Sequence, residues 1–149
     1  MTDIHKKLHD ASSAGDDTLV RELLAAGAEP DKYKDSRGDT ALSEAARWGR
    51  DSTVSILLQA GANLNIQNDN GRTALHRAAY NGHNEVTTTL IKAGADLNLQ
   101  NKDGKTALHY AAAGYNEVTI TLIEAGADPY LQDNEGRTPV LPQNKEIAR

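Results

Sequence analysis

The chain has no cysteine and no phenylalanine, and only one tryptophan and one methionine among its 149 residues. The absence of cysteine excludes a disulfide framework, a thiolate zinc centre and a cysteine nucleophile, and leaves the compartment unreadable from redox chemistry. With aromatic residues at 4%, a core has to be built from Ala, Leu, Val and Ile, which suits closely approaching helices better than a bulky globular centre. Long apolar runs are missing too. Nothing is long enough to cross a bilayer, and the start, "MTDIHKKLHDASSAGDD", lacks the apolar stretch of a secretory signal. There is no basic excess: 16 Lys and Arg face 21 Asp and Glu, for a formal charge of −5, which argues against a nucleic-acid binder that works by neutralising phosphates. Nor is there an Asn-x-Ser/Thr acceptor. These absences predict an intracellular protein, cytoplasmic with the nucleus left open, with no membrane and no nucleic acid among its partners.

What is present is periodic. Gly38, Gly71 and Gly104 are spaced by 33 residues, and Gly136 follows 32 later. A second series, Gly27, Gly61, Gly94 and Gly126, and a third, Gly15, Gly49, Gly82 and Gly114, both advance by 34, 33 and 32. Self-similarity at such a period marks a stacked array. Between the glycines the apolar spacing is helical: Leu75, Ala78 and Ala79 share one face, as do Leu108, Ala111 and Ala112. Val86, Leu90 and Ile91, matched by Val118, Leu122 and Ile123, make a second helix. Gly82 and Gly114 lie between the two helices, where a helix C-terminus favours a residue tolerant of positive φ. Asn70-Gly71 and Asp103-Gly104 predict protruding hairpin-like turns between units. Helices this short do not persist alone in water, so the units have to stack.

The stretch "GRTALHRAAYNGHNEVTTTLIKAGADLN" resembles the ankyrin repeat pattern of Gly, Thr-Pro-Leu-His, Ala-Ala, Gly, Leu-Leu and Gly-Ala-Asp. The resemblance covers almost the whole chain as four units (about 1–35, 36–68, 69–101 and 102–132) and a partial fifth over 133–149. It implies an all-α solenoid of helix-turn-helix units with β-hairpin-like turns, forming a single domain over 1–149. It also implies that Thr73 with His76, and Thr106 with His109, hydrogen-bond each other at the start of the first helix, each imidazole also bridging to the backbone of an adjacent turn. A shared metal is excluded by distance, because equivalent residues on stacked helices lie roughly 8–10 Å apart, against about 2.0–2.1 Å for each zinc–nitrogen bond. His5 and His9 form an i, i+4 pair without an evident third ligand, and His83 reads as a helix-start residue. No Gly-x-Ser-x-Gly elbow and no phosphate-cradling glycine loop is present, so the chain is not expected to be an enzyme or to need a cofactor.

By the same resemblance, partners bind a concave face made of turn tips and first-helix ends. Here these are Arg37 and Asp39; Asp69, Asn70 and Arg72; Lys102, Asp103 and Lys105; and Arg47, Trp48, Tyr80 and Asn81. Trp, Tyr and Arg are enriched where binding energy concentrates, which puts Arg47, Trp48, Arg72 and Tyr80 at the centre; the competing reading has Trp48 and Tyr80 only shielding the groove. Six cations (Arg37, Arg47, Arg72, Lys102, Lys105, Arg137) against four anions (Asp39, Asp69, Asp103, Glu135) make the face slightly basic.

Departures from the pattern carry expectations of their own. The fourth unit lacks one residue, predicting an earlier end to its first helix and an altered groove at Ala113. Ser43 stands where the other units have histidine, and one extra residue near Lys32 to Lys34 predicts a loop insertion in the first unit. Ser12, Ser13, Asp16 and Asp17 read as the polar side of a capping unit. The end, "PQNKEIAR", reads as a folded-back tail or as a cut from a longer protein. Asn65 and Asn98 resemble ankyrin asparagines that an oxygenase hydroxylates, but the reading favoured for both is a turn-stabilising side chain. The expected function is a monomeric protein–protein interaction module, serving as scaffold, adaptor or inhibitor. The alternative is a regulatory or substrate-recruiting domain of a longer protein with its catalytic part elsewhere.

Overall fold

A computed structural model describes residues 3–139, so the "PQNKEIAR" expectation lies outside the described residues. Among the described residues eight helices form four pairs: α1 (Ile4–Ala14) with α2 (Asp17–Ala25), α3 (Ala41–Arg47) with α4 (Asp51–Gln59), α5 (Ala74–Tyr80) with α6 (Asn84–Lys92), and α7 (Ala107–Ala112) with α8 (Asn116–Glu124). First helices pack on first helices and second on second, so the chain is a two-layered helical solenoid. Thr40, Thr73 and Thr106 open α3, α5 and α7, each hydroxyl accepting the N–H three residues on at 3.2, 3.3 and 3.4 Å. Leu42, Leu75 and Leu108 then point inward from the first helices, and Leu57, Leu90 and Leu122 from the second, all essentially fully buried. Ala45, Ala78 and Ala111 are at 0% exposure beside them, and their small side chains let neighbouring helices approach closely.

Polar side chains tie the second layer together across units. Ser52 and Thr53 donate to the Asp17 carboxylate, Thr89 Oγ1 donates to Asp51 at 2.6 Å, and Thr121 Oγ1 donates to Asn84 at 2.8 Å. Asp17 thus faces the second unit, and Ser12 is fully buried, so neither serves as the outward polar surface expected of a cap.

Among the described residues the connecting turns contain no strand, and each closes like a hairpin through a backbone bond, Asn68 N–H to Arg72 O at 2.8 Å in the turn before α5. Each is a turn knotted around one Asx side chain. Asn68 Oδ1 accepts from the N–H groups of Asn70 and Arg72, both at 2.9 Å, and Asp35, Asn101 and Asp133 repeat the arrangement. Adjacent tips meet through single backbone bonds, Asp69 N–H to Arg37 O at 3.0 Å and Lys102 N–H to Asn70 O at 3.0 Å. The Asn65 and Asn98 side chains accept the N–H groups of Asp96 and Asp128, at 3.0 and 2.9 Å, which gives both a turn-stabilising bond to the next unit.

The shortened unit behaves as its length predicts, with one exception. Helix α7 has six residues against seven in α5 and α3. In the third unit the N–H of His83 reaches back five residues to Ala78 O at 2.9 Å, a closure that places Gly82 at φ 72°. In the fourth, Tyr115 N–H reaches back only four, to Ala111 O at 2.7 Å. Gly114 consequently does not enter the left-handed region, contrary to the expectation for it. The extra residue of the first unit lies in an exposed loop from which Tyr33 folds back to stack on His9 with centroids 5.1 Å apart.

Candidate interaction face

The histidines join units to one another. His76 Nδ1 accepts the Thr73 N–H at 3.1 Å and lies 2.9 Å from Thr73 Oγ1, which leaves Nε2 as the protonated nitrogen, donating to Lys105 O at 2.9 Å. His109 repeats this with Thr106 and Arg137 O, and His9 Nε2 donates to Asp39 O at 3.2 Å. Burial pushes the His76 pKa down from 6.5 to about 4, so the ring is neutral at physiological pH. His83 begins α6 as expected and also donates from Nε2 to Arg47 O at 2.9 Å.

Ser43 puts no imidazole against the corresponding carbonyl of Arg72, and the second and third units are joined differently. Asp39, at 0% exposure, accepts from Arg77 Nη2 at 3.1 Å and from Asn68 Nδ2 at 2.9 Å, with Arg37 Nε at 3.7 Å. Glu44, also buried, accepts from Arg37 Nη2 at 3.2 Å, Arg47 Nη1 at 3.5 Å and Trp48 Nε1 at 3.1 Å. Burial lowers the Arg77 pKa while the Asp39 carboxylate opposes it. Burial would raise Asp35, but the N–H groups of Asp39 and Arg37 outweigh it and hold that carboxyl low. Asp35, Asp39 and Glu44 lie close enough to converge on a cation, yet the arginines already supply the positive charge there.

This network corrects one expectation: Asp39 is an internal anchor and does not present a side chain to a partner. With it removed, the six cations of the face stand against three anions. Trp48 and Tyr80 are 49% and 58% exposed, the Arg47 guanidinium lies 4.7 Å from the Trp48 ring centroid, and Arg37 is half-exposed. Asp69, Asn70, Lys102 and Asp103 are exposed on the tips, whereas Arg72 and Lys105 are half-buried beside α7. Asn81 is half-buried, its amide donating to Arg77 O at 3.0 Å. At Ala113, where a residue is missing, an open hollow is lined by Lys105, His109, Ala112, Ala113 and Arg137, among others.

Sequence reasoning missed Glu44, Arg77 and Tyr110. All three follow the histidine position in consecutive units, and the available signal was that this one site varies in charge and size inside an otherwise constant pattern. Tyr110 organises the fourth unit's part of the face: its hydroxyl accepts from Asn101 Nδ2 at 2.6 Å, and its ring meets Tyr80 edge-on at 5.3 Å.

No helix among the described residues is long and apolar enough to cross a membrane. A family profile described as Ankyrin repeats (3 copies) matches residues 8–101 and 67–133. The chain is also similar to a putative ankyrin repeat-containing protein of Treponema pallidum (strain Nichols), 39% identical over 56 residues. That stretch is 38% of this chain and 19% of the relative, so the similarity spans about a fifth of the relative's length. Ankyrin repeats are generally protein–protein interaction modules and typically carry no enzymatic activity. The 33-residue beat, the threonine–histidine clamps that fasten the third and fourth units to the turns after them, and a profile match reaching from residue 8 to residue 133 converge: the chain belongs to the ankyrin repeat family.

Proposed function

We propose that the chain is a binding module of the scaffold, adaptor or inhibitor type, and that it holds another protein through the face centred on Arg47, Trp48, Arg72 and Tyr80. One observation carries this reading. Trp48 is half exposed yet fixed, its indole N–H bonded to the buried Glu44 carboxylate and its ring covered by Arg47. A large side chain held in place before a partner arrives loses little conformational freedom on binding, which is the physical basis of preorganised affinity. The exposed tips at Arg37, Asp69, Asn70, Lys102 and Asp103 form the rim of the same surface.

Affinity capture with the intact chain, followed by titration of the purified partner against wild type and Trp48→Ala, tests the reading. The expected loss is about 2 kcal/mol, roughly 30-fold in Kd, with the melting temperature unchanged. Equal losses of affinity and melting temperature would assign Trp48 to the packing of the array.

A further inference from the structure

The cations on and beneath this face differ in how their charge is met. Arg37, Arg47 and Arg77 each lie within 3.7 Å of the buried carboxylates of Asp39 or Glu44, so their charge is largely balanced inside the protein. Arg72 and Lys105 have no carboxylate within ion-pairing distance among the described residues. Both instead converge on one aromatic ring: the Arg72 guanidinium is 5.8 Å from the Tyr110 ring centroid and the Lys105 ammonium 5.7 Å. Attraction to the ring face is worth on the order of 1 kcal/mol at such half-buried sites, short of neutralising two like charges. The Tyr110 ring is held at two points, its hydroxyl by Asn101 and its ring by the edge-to-face contact with Tyr80.

We infer that Arg72, Lys105 and Tyr110 seat a carboxylate from an acidic segment of the partner protein; the inference rests on the reading of this face as a docking surface. A carboxylate that reaches either cation gains a charge-assisted hydrogen bond, and the second cation, held by the same ring, adds to the attraction. Tyr80, about half exposed and edge-to-face with Tyr110, offers apolar contact on one side. On the other side Lys105 borders the hollow over Ala112 and Ala113. The segment that fits this order of features alternates carboxylates with apolar side chains. A nucleic acid shares the negative charge and the liking for aromatic rings, but Asp69 and Asp103 are exposed on the tips just before Arg72 and Lys105. Those carboxylates repel an unbroken row of phosphates more than a peptide with isolated acids.

The test uses fluorescence anisotropy with the full chain and three labelled probes: a short peptide of alternating glutamate and leucine, the same peptide with lysine for glutamate, and single-stranded oligothymidylate. The acidic peptide is expected to bind about tenfold more tightly than either of the others, and less tightly as salt is raised. Arg72→Ala and Lys105→Ala should each weaken it about tenfold, while Lys92→Ala, on the far end of α6, leaves it unchanged. Arg72→Gln, which keeps the stem and a donor without the charge, separates charge from packing. If both peptides bind equally and Trp48→Ala weakens both, the docking face stands and the acidic segment is wrong. Tighter binding of oligothymidylate, or no saturable binding of the acidic peptide, also overturns the inference.

Discussion

The third unit differs from the second at the histidine position and from the fourth by one residue of length. Each difference isolates one device of the array. Where His76 is present, a neutral ring joins a helix start to the next turn and needs no charge. Where Ser43 stands instead, the neighbours are held by Asp39, Glu44 and Arg77, a buried ionic network. The second solution is less forgiving, because a buried charge that loses its counterion stays costly. It also has a by-product the first does not: Glu44 reaches outward and fixes Arg37, Arg47 and Trp48. The joint that replaced a histidine is therefore the one that organises the exposed face.

The contrast breaks most severely at Arg77. Arg77→Met removes the principal partner of the Asp39 carboxylate and should lower stability by about 3–5 kcal/mol, measured by urea unfolding. Replacing Asp39 and Arg77 together by Asn and Met should recover most of that loss. If the single variant costs less than 1 kcal/mol, the network is not what joins the second and third units.

The imidazole joint carries a pH signature instead. Folded His76 has its pKa at about 4, against 6.5 ordinarily, so as pH falls the unfolded chain takes up a proton that the folded chain refuses. Its contribution is therefore full above pH 6.5 and lost progressively between 6.5 and 4, a decline of roughly 3 kcal/mol. Asp17 and Asp35, with pKa values held below 3.8, give up their contributions only at more acid pH, outside this window. The His76→Asn variant should be less stable at pH 7 and show a flatter profile between pH 6.5 and 4; an unchanged slope would place the titration elsewhere.

The smallest expected effect separates the third unit from the fourth. Gly82→Ala forces a side chain into φ 72° and against Tyr115 Cδ1 at 2.5 Å, and should cost at least about 1–2 kcal/mol. Gly114→Ala meets nothing within 4 Å and has ordinary φ, so it should be neutral or stabilising by up to about 1 kcal/mol. Equal melting temperatures for the two variants would erase the distinction between the two helix ends.

Much of the fold was legible because glycine registers, leucine rows and threonine caps recur at one spacing, and each has a local physical cause. The earlier end of α7 followed from length alone. The conformation of Gly114 did not, since it depends on which carbonyl the next N–H reaches. Asp39 looked like a turn-tip residue because it directly follows the tip at Ser36, Arg37 and Gly38, and only the distant Arg77 and Asn68 show why it turns inward. Tyr110 was passed over for the opposite reason: its position lies among core alanines, yet it borders Arg72, Lys105 and Tyr80 across units. Contacts between units are written in no single unit.

The glycines that follow the first helices have a second use. Gly15 is roofed by Arg50, Gly49 by His83 and Gly82 by Tyr115, each cover supplied by the succeeding unit. A guanidinium, an imidazole and a phenol thus sit over the same kind of bare patch, which selects for flatness and reach and ignores chemical identity. Such a seam cannot dictate which unit follows which. Whole units can be duplicated, deleted or transplanted across this seam wherever no buried charge pair such as Asp39 with Arg77 spans it, so an array of this kind can lengthen or shorten in whole steps while its outward-facing residues diverge.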